Sequence, residues 1–296
     1  YTVLAEPDTL FNRYGIFSFD DLVQTLEPED LEFENPNNAI YQFAAYHIIE
    51  GSFFLDDLTG ESSNYNTFAS YPVSISAEGI DIQLNIGVDT FAYVISGMDT
   101  SVVNYLGLRI QQSNNLSKNG AIHLLTEILK PFKPNRSVRT FQFYNEEQIT
   151  ISSRQYGSYE FLDSEDFAVI NWTGPDKIEY IKSQSSDERA YNKDYILIEG
   201  RFSIEYEIPK ILPGKYLVMI NANAVKSGNA TIQVYLDDRR KGGNFDLTKG
   251  GNSNNPYYNF VLGEVDYSTY TDHKIRIETL IPGEMIWDYV RFEPVK

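Results

Sequence analysis

Lys130-Pro131-Phe132-Lys133-Pro134-Asn135-Arg136 divides this chain of 296 residues. Each proline disfavours helix in the residue before it and cannot donate to a strand ladder, so the segment is extended and stiff. Charge changes across it. Residues 1–134 carry 18 acids against 5 bases, net −13, and residues 135–296 carry 24 against 19, net −5. A step of that kind marks two units with different surfaces, and a domain typically runs to about 100–200 residues. The expected organisation is a first domain at 1–134, a linker at 135–139 and a second domain at 140–296.

Upstream of the divide, helical and strand signals are mixed. Ser18 with Asp21 has the spacing of a capping box that opens a helix over Phe19–Leu26. Pro36 heads a second helical segment in which Ile40, Phe43, Ala44 and His47 recur at i, i+3, i+4 and i+7. Strands are expected at 73–76 and at 80–86, where Ile80, Ile82, Leu84 and Ile86 alternate with Asp81, Gln83 and Asn85. Further strands are expected at 90–95, 107–112 and 121–124, which makes the first domain α+β.

Downstream, helical periodicity nearly vanishes. Alternating segments recur between Gly, Asn, Asp and Pro clusters at 140–144, 148–152, 195–198, 202–208, 215–221, 230–236, 259–262, 274–280 and 285–293. Nine short strands with turns between them predict an all-β sandwich or jelly roll. Lys241-Gly242-Gly243-Asn244 and its echo Lys249-Gly250-Gly251-Asn252 read as a long mobile loop, because neither has the spacing that cradles a phosphate.

Composition removes several classes of function. Hydrophobic residues make up 42% and aromatics 14%, enough for a globular core. The net charge of −18 argues against nucleic acid, whose binding draws on clustered Lys and Arg. No cysteine is present, so there is no disulfide framework, thiolate metal site or cysteine nucleophile. No apolar run approaches the ~20 residues that cross a bilayer, so contact with a membrane is expected only through a removed lipid anchor.

Three motifs in the first domain resemble those of fasciclin domains. Thr2-Val3-Leu4-Ala5-Glu6-Pro7-Asp8-Thr9-Leu10-Phe11 is similar to the opening motif of that family. Asn119-Gly120-Ala121-Ile122-His123-Leu124-Leu125-Thr126-Glu127-Ile128-Leu129-Lys130-Pro131 is similar to its closing motif, and Tyr46-His47 between them matches its Tyr-His pair. The resemblance implies a wedge of β-sheet with helices packed on it, found mostly in secreted and surface-attached adhesion proteins, in which Tyr46, His47 and His123 are structural. It departs from the family at Glu6-Pro7, where Pro-Thr is usual, and in beginning inside the first motif, so a longer precursor is expected.

The second domain resembles galactose-binding-like jelly rolls, which include many carbohydrate-binding modules. The resemblance rests on Phe202-Ser203-Ile204-Glu205-Tyr206-Glu207-Ile208-Pro209, Pro213-Gly214-Lys215-Tyr216, Ile232-Gln233-Val234-Tyr235-Leu236-Asp237-Asp238 and Trp287-Asp288-Tyr289-Val290-Arg291-Phe292-Glu293-Pro294. In such modules a carboxylate of the last strand often helps to hold a structural calcium, which singles out Asp288 and makes calcium the one cofactor the resemblance admits.

Catalysis has little to draw on. His47, His123 and His273 are the only histidines, and no two share a spacing that aims them at one metal. The pairs Asp20-Asp21, Asp56-Asp57, Glu146-Glu147 and Asp237-Asp238 are neighbours, which point to opposite faces in a strand and so make no acid–base pair by adjacency.

Binding is better supported. An exposed aromatic ring covers the C–H face of a sugar while amides bond its hydroxyls, and Asn252-Ser253-Asn254-Asn255-Pro256-Tyr257-Tyr258-Asn259 offers both. The expected ligand contacts are Asn254, Asn255, Tyr257 and Tyr258, with Trp172 in the turn-like Asn171-Trp172-Thr173-Gly174-Pro175 as a second platform. The competing reading is that Trp172 and the tyrosines fill the sandwich core.

The functional expectation is a non-enzymatic adhesion protein on the surface of a bacterium, of the Bacteroidetes type, anchored as an outer-membrane lipoprotein. Its partners would be glycans or a surface or matrix protein, met by the less acidic second domain. A glycan-active hydrolase with paired carboxylates, and a second domain that only scaffolds the first, are the alternatives.

Overall fold

The structure is a computed structural model that describes residues 1–58, 63–78, 81–96 and 99–295. Contacts between residues divide the chain into two compact units, Tyr1–Asn135 and Arg136–Lys296. Ile80, with which the second alternating strand was expected to begin, lies outside the described residues.

The first unit mixes helices and sheets. Strand β1 (Thr2–Ala5) leads into helices α1 (Asp8–Arg13), α2 (Phe19–Leu26) and α3 (Ala39–Tyr46), then strands β2 (Ile48–Ile49), β3 (Ser63–Tyr65), β4 (Val73–Glu78) and β5 (Asp81–Leu84). Strands β6 (Phe91–Ser96), β7 (Asp99–Val103), β8 (Leu106–Gly107), β9 (Asn115–Ser117) and β10 (Gly120–Leu124) complete it.

One sheet runs β2-β1-β10-β9, with β1 parallel to β10 from Thr2↔Ala121 to Ala5↔Leu124. A second runs β3-β4-β5-β8, and β6 and β7 form a hairpin. Ser18 caps α2 as its spacing to Asp21 predicts, with Asp21 N donating to Ser18 Oγ, while the Asp21 carboxylate accepts from Phe17 N, one residue before the cap.

Helix α3 is capped by Asn38, whose Oδ1 accepts from Ile40 N, and not headed by Pro36. Its buried face is Ile40, Phe43, Ala45 and Tyr46, so Ala44 points outward instead of into the core. The strand expected over 107–112 ends at Gly107, and Ile110–Gln112 turns as a short 3₁₀ helix.

The second unit is an antiparallel sandwich. Its elements are β11 (Arg139–Phe141), α4 (Glu147–Ser152), β12 (Gly157–Glu160), β13 (Ile170–Lys182), β14 (Asp194–Ile211) and β15 (Gly214–Asn223). There follow β16 (Thr231–Leu236), β17 (Arg239–Asp246), β18 (Tyr257–Tyr267), β19 (Thr271–Ile281) and β20 (Gly283–Pro294).

Strand β14, 18 residues long, belongs to both layers. Its first half pairs with β20 through Ile196↔Trp287, and its second with β19 through Ser203↔Glu278 to Ile211↔Thr271. The segments expected at 195–198 and 202–208 are thus one strand that bends at Gly200, whose φ of +96° suits glycine. Its inward residues Ile196, Ile198, Ile204, Tyr206 and Ile208 pack with Tyr216, Val218, Ile220, Ile275, Ile277, Trp287 and Phe292 in one continuous core.

Three expectations fail in this unit. Residues 148–152 alternate like a strand but lie in helix α4, where Glu146 caps the first turn by accepting from Gln148 N and Ile149 faces the core. Lys241–Asn244 is no mobile loop: it lies in β17, and the glycines form a bulge against β16 between Ile232↔Phe245 and Val234↔Lys241.

Trp172 lies inside β13, not in a turn. Gly174 and Pro175 make an irregularity in the β13–β14 ladder at Thr173↔Ser203 and Pro175↔Gly200, and the strand continues past it. Gly174 has φ +79°, and a Cβ there would lie 2.8 Å from the Arg201 carbonyl oxygen.

Gly174→Ala is therefore expected to destabilise this unit by about 1–3 kcal/mol, the cost of a non-glycine residue held in left-handed backbone. Both tryptophans, Trp172 and Trp287, belong to this unit, so denaturant unfolding followed by tryptophan fluorescence measures it. An unchanged midpoint would show that the backbone relaxes without cost.

Candidate functional site

The turn before β18 is built by one of its asparagines. Asn252 Oδ1 accepts from the amides of Asn254 and Asn255, each at 3.0 Å, and the Asn252 and Asn255 backbones bond each other. Asn252 thereby sets the turn, while the side chains of Asn254 and Asn255 stay exposed.

Beyond Pro256 the chain enters a strand, and its alternation separates the two tyrosines. Tyr258 is 45% exposed, with its ring edge-on to Phe260 at 5.0 Å. Gly250 lies directly beneath it, where a Cβ would meet the ring at 2.8 Å. Tyr257, 7% exposed, points the other way, packs with Ala190 and Ile286, and donates its hydroxyl to Glu188 Oε1 at 3.0 Å. Burial and the Glu188 charge push the Tyr257 phenol far above its ordinary range.

Of the five expected contacts, Asn254, Asn255 and Tyr258 thus lie exposed at one end of β18, and Tyr257 is core. Trp172 is also core: 9% exposed, it packs against Phe161 and edge-on to Phe167 at 4.9 Å, leaving no face for a ligand. Among the described residues a polar cleft of about 340 Å³ opens beside β14, lined by Asn171, Glu165, Glu205, Glu207 and Lys274. Glu205 in it is paired with Lys274 at 3.2 Å and Arg276 at 3.5 Å, and the Phe167 ring beside it turns to Phe161 and Trp172.

Asp288 lies in the interior of the second unit. Its Oδ2 accepts from Tyr191 N at 2.9 Å and its Oδ1 from Gln142 Nε2 at 3.1 Å. Gln142 also donates to Asp194, which takes further bonds from Tyr144, Tyr180 and Lys182.

Burial pushes the Asp288 carboxyl up to about 7, with the Asp194 and Glu188 charges adding to the rise and the Tyr191 and Gln142 donors opposing it. A calcium site needs oxygens aimed at the ion, and here amide, hydroxyl and ammonium protons are aimed at the carboxylates. These residues do not fit the calcium that the resemblance admits at Asp288, and among the described residues no group of three or more His, Asp or Glu could hold a metal. Nothing local in the sequence marks Gln142, Asp194 or Glu188, because their partners lie far along the chain.

In the first unit the motif residues serve the core. Tyr46 is fully buried, donates to Pro72 O at 3.2 Å and accepts from Asn85 Nδ2 at 3.1 Å, and burial pushes its phenol up to about 12. His47 Nδ1 donates to Phe43 O at 2.6 Å and its Nε2 lies 2.7 Å from Glu6 Oε1. His123, fully buried, donates from Nε2 to Phe53 O at 2.9 Å, and burial lowers its pKa so that the neutral ring persists. His273 pairs with Asp237 at 3.0 Å in the second unit.

No protein-family model matches this chain, and no curated protein matches it. Among solved structures it is similar to a family 35 carbohydrate binding module from Clostridium thermocellum, at 12% identity over 47% of this chain and 99% of that one, with a TM-score of 0.32. It is also similar to the family 35 module of Paenibacillus barcinonensis, at 15% identity over 47% of this chain and 99% of that one, with a TM-score of 0.32. A Paenibacillus xanthan lyase is similar at 13% identity over 79% of this chain, with a TM-score of 0.39, and there the matched part spans only 23% of the lyase.

Proposed function

We propose that the second unit is a non-catalytic module that binds a glycan at the end of β18, and that the first unit is a fasciclin-like adhesion domain. The observation that carries the binding site is the exposed ring of Tyr258 at the end of an otherwise buried aromatic row, beside the exposed amides of Asn254 and Asn255. A ring of that kind covers the apolar face of a pyranose, and amides can both donate to and accept from its hydroxyls. The fasciclin reading rests on the three sequence motifs and is supported by the structural roles of Tyr46, His47 and His123. A protein of this kind works at a bacterial surface, held to the outer membrane by lipid, with glycans or a matrix protein as its partners.

A glycan array probed with the intact chain tests the site. Tyr258→Ala is expected to weaken the best glycan about tenfold, equivalent to ~1.4 kcal/mol, while Tyr257→Phe leaves affinity unchanged. Equal binding by wild type and Tyr258→Ala, or no glycan bound at all, would overturn the proposal.

A further inference from the structure

Two buried carboxylates in the second unit face the same nitrogen. Asp194 and Asp288 are 1% and 2% exposed. Between them, Gln142 Nε2 lies 2.9 Å from Asp194 Oδ1, 3.1 Å from Asp288 Oδ1 and 2.7 Å from the Tyr191 carbonyl oxygen. Gln142 Oε1 accepts from Asn192 Nδ2 at 2.7 Å, which orients the carboxamide with its NH₂ towards the acids.

Three oxygens drawn around one point is the arrangement of a cation site, yet the point is an amide nitrogen. Calcium takes about six to eight oxygens at 2.3–2.6 Å, so it would have to expel this amide. It would also compete with Tyr180 Oη at 2.6 Å, Lys182 Nζ at 3.1 Å and the Tyr144 hydroxyl, all of which hold Asp194 Oδ2.

We infer that the Gln142 carboxamide stands where a cation would, and that the Asp194–Asp288 cluster is a metal-free clasp binding β11, β20 and the segment 183–193 together. Each part of the clasp comes from a different stretch of chain. Gln142 follows β11, Asp288 lies in β20, Asp194 opens β14, and Tyr191 and Asn192 end the crossing segment. That segment then lies with Ala190 against Tyr257 and Ile286 and with Glu188 bonded to Tyr257, which is why Ile286, Asp288 and Tyr289 are buried on the face of β20 away from the main core. The contacts agree with a metal-free site: Lys182 balances the Asp194 carboxylate, and the Tyr191 and Gln142 N–H groups satisfy the oxygens of Asp288.

The test compares melting of the intact chain, followed by tryptophan fluorescence, in EDTA and in millimolar calcium. Wild type is expected to melt at the same temperature in both, and calorimetric titration with calcium to give no binding heat. Gln142→Glu places a third carboxylate at the centre, so its midpoint should fall in EDTA and recover when calcium is added.

Gln142→Leu removes the donor without adding an oxygen and should lower the midpoint equally in both buffers. It keeps the comparison decisive if Gln142→Glu does not fold. Calcium stabilisation of wild type, or of Gln142→Leu, would overturn the clasp as metal-free, and a Gln142→Glu protein indifferent to calcium would overturn the amide as its substitute.

Discussion

Replacing Glu6 with alanine is expected to cost the first unit about 2–6 kcal/mol, because two buried polar groups lose their partner and each such loss costs about 1–3 kcal/mol. Glu6 Oε1 lies 2.7 Å from His47 Nε2 and accepts from Leu129 N at 2.9 Å, partners 41 and 123 residues away along the chain. The Glu6 and His47 side chains are 5% and 8% exposed. One carboxylate thus ties the end of β1 to the end of α3 and to the stretch after β10. Without it the imidazole Nε2 and the Leu129 N–H stay in the interior with no partner, and each such group carries a penalty of about 1–3 kcal/mol.

No tryptophan lies in the first unit, so hydrogen exchange by mass spectrometry is the measurement. Peptides covering 39–49 should lose protection by about a hundredfold or more in Glu6→Ala. Glu6→Gln keeps an acceptor for Leu129 N and should lose distinctly less. Wild-type protection in Glu6→Ala would show that the pair contributes nothing.

Glu6 also marks where reading the sequence reached its limit. The residue stood out as a departure from the fasciclin motif, and only the fold supplies its partners. Periodicity served where burial is one-sided: Phe202–Ile208 alternates because one face meets the core, and the cap at Ser18 is local chemistry. It misled where a period of two arises in a short helix, as at Gln148-Ile149-Thr150-Ile151, whose helical state depends on the Glu146 cap and one buried isoleucine.

Gly and Pro were read as ends of elements, but Gly174, Pro175, Gly200, Gly242 and Gly243 lie within strands as bends and bulges. Trp172, expected in a turn beside Gly174 and Pro175, lies within the strand and in the core, as the competing reading has it. Tyr258 shares its face of the strand with the buried Phe260 and Leu262, so alternation alone predicts it buried and Tyr257 outward; the end of the strand exposes Tyr258, and Ala190, Ile286 and Glu188, all distant in sequence, cover Tyr257. The clasp around Gln142 joins segments 49, 52 and 146 residues apart, beyond any local pattern.

Asp288 should make the second unit less stable as pH rises through neutrality, against the usual direction for a carboxylate. Its carboxyl lies at about 7 in the folded chain against 3.8 for the free group, raised by burial and by the Asp194 and Glu188 charges. Between those values the native state holds a proton that the unfolded chain has released, so stability is highest below the lower value and is lost as pH climbs through the upper one. A displacement of about 3 units at ~1.4 kcal/mol each sets an upper bound of roughly 4 kcal/mol on the loss.

Asp237, whose pKa is lowered by bonds from His273 and Lys274 against the effect of burial, acts in the opposite sense, and only below its ordinary value. Denaturant midpoints read by tryptophan fluorescence should therefore be higher at pH 5 than at pH 8. Asp288→Asn cannot ionise, and its midpoints should converge at the two pH values, with the gain over wild type appearing at pH 8. A wild-type midpoint that is flat or rising from pH 5 to 8, or a fall that survives in Asp288→Asn, would mean that the ionisation of Asp288 does not control this unit.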